Sequence, residues 1–332
     1  MDKRFVVAII GVVVLVAAVS TMMSLMIKPE HSKMKVVASI YPFAEIARQV
    51  GKDKIELSTL TPPGVESHDF EPSPKDLVKI QEAKIFVYSG AGFEPWADKA
   101  IVDLKEVTVV NAGKGIKLLP TAGFGDSHNV GKYNGNSHNT DNHDASDSQA
   151  QKQARSAKTD PHFYLDPICL QHSVDNVTRA LCKVDARNAS YYRNNASEYK
   201  KELLALDSEY RKTLFACKSK DIVTSHAAFA YLAKRYGLRQ VPLAGMSEEE
   251  PSPARIAGVV EYVKQHKIKY IFVEKLVSPR LSETVAGETG AKILVLNPLE
   301  GLTPAESKAG KDYISIMHDN LANLKTALGC KQ

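Results

Sequence analysis

Apolar residues are arranged along this chain in three distinct ways. The first is a single unbroken run over residues 5–27, free of charge, with Lys3 and Arg4 before it and Lys28 after it. A helix of that length spans a hydrocarbon layer of about 30 Å. The basic residues on its leading flank predict the N-terminus inside and everything beyond Lys28 outside. Residues 1–34 therefore read as an export segment, either cut near Ala18-Val19-Ser20 or, the reading favoured here, retained as a transmembrane anchor. No cysteine stands nearby to carry a lipid. A buried core helix is disfavoured, because such helices rarely run this long without a polar face.

The second arrangement is a series of short apolar runs alternating with helical periodicity, and it occurs twice. Val37-Ala38-Ser39-Ile40-Tyr41-Pro42-Phe43-Ala44 is matched by Val223-Thr224-Ser225-His226-Ala227-Ala228-Phe229-Ala230. Each predicts a strand entering a helix that closes at a glycine, Gly51 or Gly237. At the same offset Ile85-Phe86-Val87 is matched by Ile271-Phe272-Val273, and Val109-Val110-Asn111 by Val295-Leu296-Asn297. Glu-Pro-Ser-Pro also appears twice, at 71–74 and 250–253. It places Ser73 and Ser252 as helix N-caps, with Pro74 and Pro253 at the first helical position. Strand and helix alternating in this way predict an α/β fold: two lobes with mainly parallel sheets, related by internal duplication.

The third is a helical stripe. Tyr192, Ala196, Tyr199, Leu203, Leu206, Tyr210 and Leu214 step by three or four residues and mark one face of a long helix between the halves. The predicted organisation is a first lobe over 35–185, a linking helix over 186–216 and a second lobe over 217–332. Within the first lobe, residues 123–158 are rich in Ser, Asn, Asp, Gln and Gly and too poor in apolar residues to fold alone. This polar segment carries His128, His138 and His143 among Asp126, Asp141, Asp144 and Asp147, and could hold metal loosely.

Composition adds limits. A chain of 332 residues with 44% hydrophobic residues can bury more than one core. The formal net charge of +5 is spread over 43 basic and 38 acidic residues, with no basic stripe interleaved with aromatics, so nucleic acid is not indicated as a partner. Four cysteines, Cys169, Cys182, Cys217 and Cys330, lack the CxxC spacing of a zinc knuckle or redox motif. Outside the cell they permit disulfides, and Cys182 with Cys217, which flank the helical stripe, is the preferred pairing. Asn176, Asn188 and Asn195 each open an Asn-x-Ser/Thr tripeptide that a glycosylating host could modify.

Ligands of open parallel α/β sheets lie beyond the carboxyl ends of the strands. His68 follows the strand over 55–60, in a loop stiffened by Pro62-Pro63-Gly64; His162 sits between Asp160-Pro161 and Asp166-Pro167. His226 ends the first strand of the second half, where the first half has Ile40, and Glu300 follows the last strand in Asn297-Pro298-Leu299-Glu300-Gly301. A lone loop histidine is most often a surface or hydrogen-bonded residue, but all four fall at strand ends facing one cleft.

These motifs, together with Glu71-Pro72-Ser73-Pro74, Ser225-His226-Ala227-Ala228-Phe229 and Phe272-Val273-Glu274, resemble those of the zinc- and manganese-binding receptors of ABC importers. That family is also called the cluster-nine or metal-binding-lipoprotein-like receptors, and the resemblance runs from Val36 onwards. It implies two lobes joined by one long helix, metal held between them, no enzymatic activity, and a monomer that serves an ABC permease and ATPase outside the cytoplasm. It implies His68, His162 and His226 as metal ligands, with histidine at the third position marking zinc-type members. Many members carry Asp where this chain has Asn297; here Glu300 is the expected fourth ligand, with Glu274, Asn297 or water as alternatives.

Three imidazoles and a carboxylate suit Zn2+, while Mn2+ would favour more oxygen. Zn2+ is then a transported ligand rather than a catalytic cofactor. Asp69, Asp160 and Asp166 stand close enough in sequence to orient the histidines from behind. A manganese receptor, a surface adhesin or metal chaperone, and a zinc hydrolase are the competing readings. The last is weakened by the absence of HExxH and of an evident general base.

Overall fold

A computed structural model of the chain describes residues 33–121, 159–246 and 250–331. The apolar run over 5–27, with its reading as an anchor, and the histidine-bearing polar segment lie outside them, while Met34, the last residue assigned to the export segment, opens the first strand. Among the described residues no helix is long and apolar enough to cross a membrane.

The first half builds a parallel sheet from β1 (Met34–Ala38), β2 (Ile55–Thr59), β3 (Ile85–Tyr88) and β4 (Thr108–Asn111), in the order β2-β1-β3-β4. Helices α1 (Tyr41–Gly51), α2 (Pro74–Glu82) and the short α3 (Ala97–Ala100) make the crossovers. Then come α4 (Pro167–Val184) and the 27-residue α5 (Ala189–Phe215). The second half repeats the plan with β5 (Asp221–Thr224), β6 (Arg239–Pro242), β7 (Tyr270–Val273) and β8 (Lys292–Val295), in the equivalent order β6-β5-β7-β8. Its crossovers are α6 (Ala230–Tyr236), α7 (Pro253–Gln265) and α8 (Arg280–Thr289), and α9 (Pro304–Lys308) and α10 (Tyr313–Leu328) close the chain. Identical strand orders, all parallel, are what an internal duplication produces. Parallel sheets are covered on both faces, which is why β3 and β5 are buried at every position.

Both Glu-Pro-Ser-Pro motifs open helices as their chemistry requires. The Ser73 hydroxyl accepts from the Asp76 amide and that of Ser252 from the Arg255 amide, each with proline at the start of the helix. The two predicted glycine closures divide. Gly237 caps α6 in the left-handed region at φ +65°. Gly51 is instead the last residue of α1, and Lys52 makes the reversal at φ +44°. Gly51 answers to close packing: a Cβ there would lie 2.5 Å from the Ile55 Cδ1 atom.

Every residue of the predicted stripe on α5 is buried, from Tyr192 to Leu214. That face packs on α1 and α4 from the first half and on α6 and α10 from the second. A single apolar core therefore runs from Phe43 and Leu181 through Tyr199 and Leu206 to Phe229, Met317 and Leu324. The outer face of each sheet has a smaller core of its own, around Phe86 and Ile80 in one half and Ile271 and Val259 in the other. Asp207, also on the buried side of α5, accepts from Arg235 at 2.6 Å and from the Tyr236 hydroxyl at 3.1 Å, tying the helix to α6.

The cysteine pairing differs from expectation. The disulfide joins Cys217 to Cys330, and Cys169 and Cys182 are free thiols. Cys182 and Cys217 stand before and after α5, and a helix of that length is a rod of about 40 Å. The helix that seemed to bring them together separates them far beyond disulfide reach. Among the asparagines of the three Asn-x-Ser/Thr sites, Asn176 is buried and donates through Nδ2 to the Ala112 and Lys114 carbonyls at 3.0 Å, so the folded protein does not offer it for glycosylation.

The disulfide closes a segment of 113 residues, the whole second half. Removing it as Cys217→Ser with Cys330→Ser is expected to lower unfolding free energy by about 3–5 kcal/mol, read as a lower urea midpoint with unchanged zinc stoichiometry.

Candidate metal centre

Four loops at the carboxyl ends of the strands converge between the two halves. His68 lies in the long connection from β2 to α2, and the Phe93 ring packs on its imidazole with 4.3 Å between centroids. His162 precedes a single 3-10 turn (Phe163–Leu165) that leads into α4, whose N-cap is Asp166. His226 stands two residues past β5. Its carbonyl accepts from the Thr224 hydroxyl at 2.8 Å and from Gln240 Nε2 at 2.9 Å, so the backbone that carries it is fixed from both sides. Glu300 follows β8 in a loop shaped by Asn297. The Asn297 Oδ1 accepts from the Leu299 amide at 2.8 Å, and Leu299 takes the left-handed conformation at φ +59°.

The four side chains offer one ligand atom each, and these atoms all lie within 4.8 Å of one another. Glu300 Oε1 is 3.4 Å from His68 Nε2, 3.2 Å from His162 Nε2 and 3.3 Å from His226 Nε2. The Nε2 atoms of His68 and His162 are 3.1 Å apart. Zinc ligands at about 2.0–2.1 Å in a tetrahedron are separated by edges of about 3.3 Å, close to those four distances. His226 Nε2 and Glu300 Oε1 are moreover buried with no hydrogen-bond partner of acceptable angle, although 3.3 Å apart. Two such atoms facing the same point have the orientation of ligands to a shared cation.

Each buried imidazole is held from behind. Asp160 Oδ1 lies 2.9 Å from His162 Nδ1 and also accepts from the His162 amide at 2.9 Å. Glu274 Oε1 lies 2.7 Å from His226 Nδ1. A carboxylate on Nδ1 favours the tautomer that leaves the Nε2 lone pair free for metal. Of the three aspartates expected in this role, only Asp160 takes it. Asp166 caps α4 and pairs with Arg235 at 3.2 Å, and Asp69 is exposed. Glu274, weighed as a ligand, directs its carboxylate to His226 Nδ1. Asn297, the other protein alternative, turns its side chain to the Leu299 amide and to Glu306 Oε1 at 3.4 Å. Glu274 follows β7 as His226 follows β5, and the two strands are neighbours in the sheet. Nothing in the sequence marked Phe93.

The two halves also touch directly beside the site. Ser67 Oγ donates to the Glu300 carbonyl at 3.0 Å and the Gly64 amide to the Leu302 carbonyl at 2.8 Å. Gly64 is at φ +90°, and a Cβ there would lie 3.2 Å from Pro304. The loops of His68 and Glu300 are thus joined to each other before any ion is considered.

Electrostatically the cluster is a set of opposed charges shielded from water. Burial works against charge on His226, but Glu274 and Glu300 outweigh it and hold the imidazole well above its ordinary value. Burial also opposes charge on His162, and Asp160 and Glu300 reverse it in the same direction. Glu300 is pushed up by burial, yet His68, His162 and His226 together hold it well below the usual carboxylate range. All three shifts favour the charged form, because opposed groups face one another out of water.

Two α/β lobes with three imidazoles and a carboxylate between them define a metal-binding receptor. The family model for ZnuA, the periplasmic zinc-uptake complex component A, matches residues 36–327, and the chain belongs to that family. It is 40% identical over 299 residues to the high-affinity zinc uptake system protein ZnuA of Bacillus subtilis, covering 89% of this chain and 88% of that one. The zinc-binding lipoprotein AdcA of Streptococcus pneumoniae is 37% identical over 301 residues, which are 90% of this chain but 56% of that longer protein. Among solved structures, the Zn(II)-bound ZnuA-like domain of S. pneumoniae AdcA superposes with a TM-score of 0.72 at 35% identity, covering 90% of this chain and 99% of that one. The laminin-binding protein Lmb of Streptococcus agalactiae, described as an adhesin with metal-transporting activity, gives 0.73 at 31%, covering 89% and 99%.

Because metal competes with protons for imidazole nitrogen, the raised His162 and His226 predict proton release on binding. Zinc affinity should rise with pH through the neutral range. Calorimetric titrations in buffers of different ionisation enthalpy should show a positive proton release, approaching two where both imidazoles start protonated.

Proposed function

We propose that this chain is the extracytoplasmic receptor of an ABC-type zinc importer. It captures Zn2+ between lobes 35–185 and 217–332, joined by the 186–216 helix, and delivers it to a membrane permease and its ATPase. The ligands are His68, His162, His226 and Glu300. The observation that carries the reading is the set of four separations of 3.1–3.4 Å among their ligand atoms, which match the edges of a zinc tetrahedron. The zinc names of its relatives point the same way.

Manganese is disfavoured by the donor set, since three of the four ligands are imidazole nitrogens and Mn2+ favours oxygen. A hydrolytic zinc centre is disfavoured because Glu300 occupies the fourth position, which catalytic sites leave to water. Capture without chemistry is the use that suits a closed set of four protein ligands.

Metal analysis and zinc titration of residues 34–332, beside the triple variant His68→Ala, His162→Ala, His226→Ala, test the proposal. One tightly bound zinc per chain is expected in the first protein and none in the second. Equal binding by both would remove the ligand assignment, and tighter binding of Mn2+ than Zn2+ would reassign the cargo.

A further inference from the structure

Tyr231 lies on the second lobe's α6, five residues after His226, and is 4% exposed. Its side chain reaches into the first lobe. The hydroxyl accepts from the Leu119 amide at 2.7 Å and donates to the Asp160 carbonyl at 2.9 Å. Leu119 and Asp160 are themselves paired, the Asp160 amide donating to the Leu119 carbonyl at 2.8 Å. One phenolic oxygen therefore uses its donor and an acceptor lone pair to close a three-membered arrangement of groups from both lobes.

The residue at the far side of that arrangement is the one that holds His162. Asp160 Oδ1 receives both the His162 amide and its Nδ1, each at 2.9 Å. Displacing the Asp160 backbone moves that carboxylate, and with it the imidazole whose Nε2 is 3.2 Å from Glu300. The packing leaves little alternative for either backbone group: Asp160 is 1% exposed and His162 is fully buried, so a lost hydrogen bond there is not readily replaced by water.

We propose that Tyr231 is a positioning residue for zinc capture. From the segment that carries His226 in one lobe, it sets the Asp160 turn that aims His162 in the other. The inference rests on His162 being a zinc ligand, as proposed above. It adds that the two histidines are energetically coupled across the cleft through a side chain that touches neither metal nor imidazole. Coupling of this kind is reciprocal: whatever zinc gains from the Tyr231 contact, the contact gains from zinc.

Tyr231→Phe keeps the ring and its packing and removes the one oxygen. In the full chain this variant should bind zinc about tenfold more weakly, at the lower end of the effect of removing a residue behind a metal ligand. In a His162→Ala background, Tyr231→Phe should change the remaining zinc affinity by less than about twofold, because the path it acts through is gone. A residue of merely structural importance would weaken binding equally in both backgrounds, and that result, or undiminished affinity of Tyr231→Phe with His162 present, would overturn the proposal. If His162→Ala alone binds zinc as tightly as the parent chain, the ligand assignment fails instead.

A measurement on the unaltered chain covers a variant that does not fold. Zinc should slow hydrogen exchange at the Leu119 amide, which Tyr231 holds, by about tenfold more than at the Ala83 amide, which is bonded to Ile80 at the end of α2. Equal slowing at both amides would show global stabilisation only and would sink the coupling.

Discussion

A carboxylate buried among three imidazoles is the interaction on which the rest of this molecule depends. Glu300 is 3% exposed, and taking a lone carboxylate out of water into such a place is expensive unless opposite charge meets it. Three imidazole nitrogens lie within 3.4 Å of its Oε1, and behind two of them stand further carboxylates, Asp160 and Glu274. Burial opposes charge on each of these groups, and the groups facing them outweigh it, raising His162 and His226 and lowering Glu300. Opposed charge is therefore what makes a carboxylate tolerable in this buried place.

Holding such a cluster requires that the two lobes be one body as far as the core is concerned. The apolar face of α5 supplies this, because it is shared: Tyr199, Leu206 and Tyr210 belong to a core containing residues of both halves. The Tyr210 hydroxyl donates to the Met317 carbonyl and that of Tyr313 to the Tyr164 carbonyl, so two of the tyrosines that fill this core also bond across it. Buried phenols satisfied in this way specify a single arrangement where aliphatic residues would tolerate several. On such a frame the ligand loops need only short-range adjustment, and the contacts of Ser67 and Gly64 with the Glu300 loop provide it.

Much of this was legible in the sequence for identifiable reasons. The duplication showed as repeated strand cores and twice-used Ser-Pro helix starts, since capping chemistry is local. The α5 face showed because a helix between two bodies must bury one stripe along its whole length. The four residues that come together, His68, His162, His226 and Glu300, showed because strand ends converge in a parallel sheet and because the flanking motifs resemble a family. What escaped was decided by tertiary distance. Cys217 pairs with Cys330, 113 residues away, because the end of α5 and the end of α10 come together. Asp166 looked like a support for His162 from its place beside it, but its carboxylate is committed to the amides of Ile168 and Cys169. Glu274 reaches His226 from an adjacent strand end, which required the order of β5 and β7 to be known.

The position of Asn297 explains how its loop brings Glu300 to the three imidazoles. The family resemblance sets an aspartate at that place in many members, yet here the side chain amide is fully engaged in structure. Its Oδ1 caps the Leu299 amide, its Nδ2 faces Glu306, and its backbone exchanges hydrogen bonds with Asn320 at 2.8 Å in both directions. An aspartate could not donate to Glu306, which is itself held to Lys275 at 2.6 Å, and would set two carboxylates against each other in a buried place. Asparagine avoids that repulsion and lets the chain pass through the left-handed Leu299 to present Glu300 three residues later. The loop thereby brings a single carboxylate to three imidazoles, a donor set that suits zinc better than a cation that demands more oxygen.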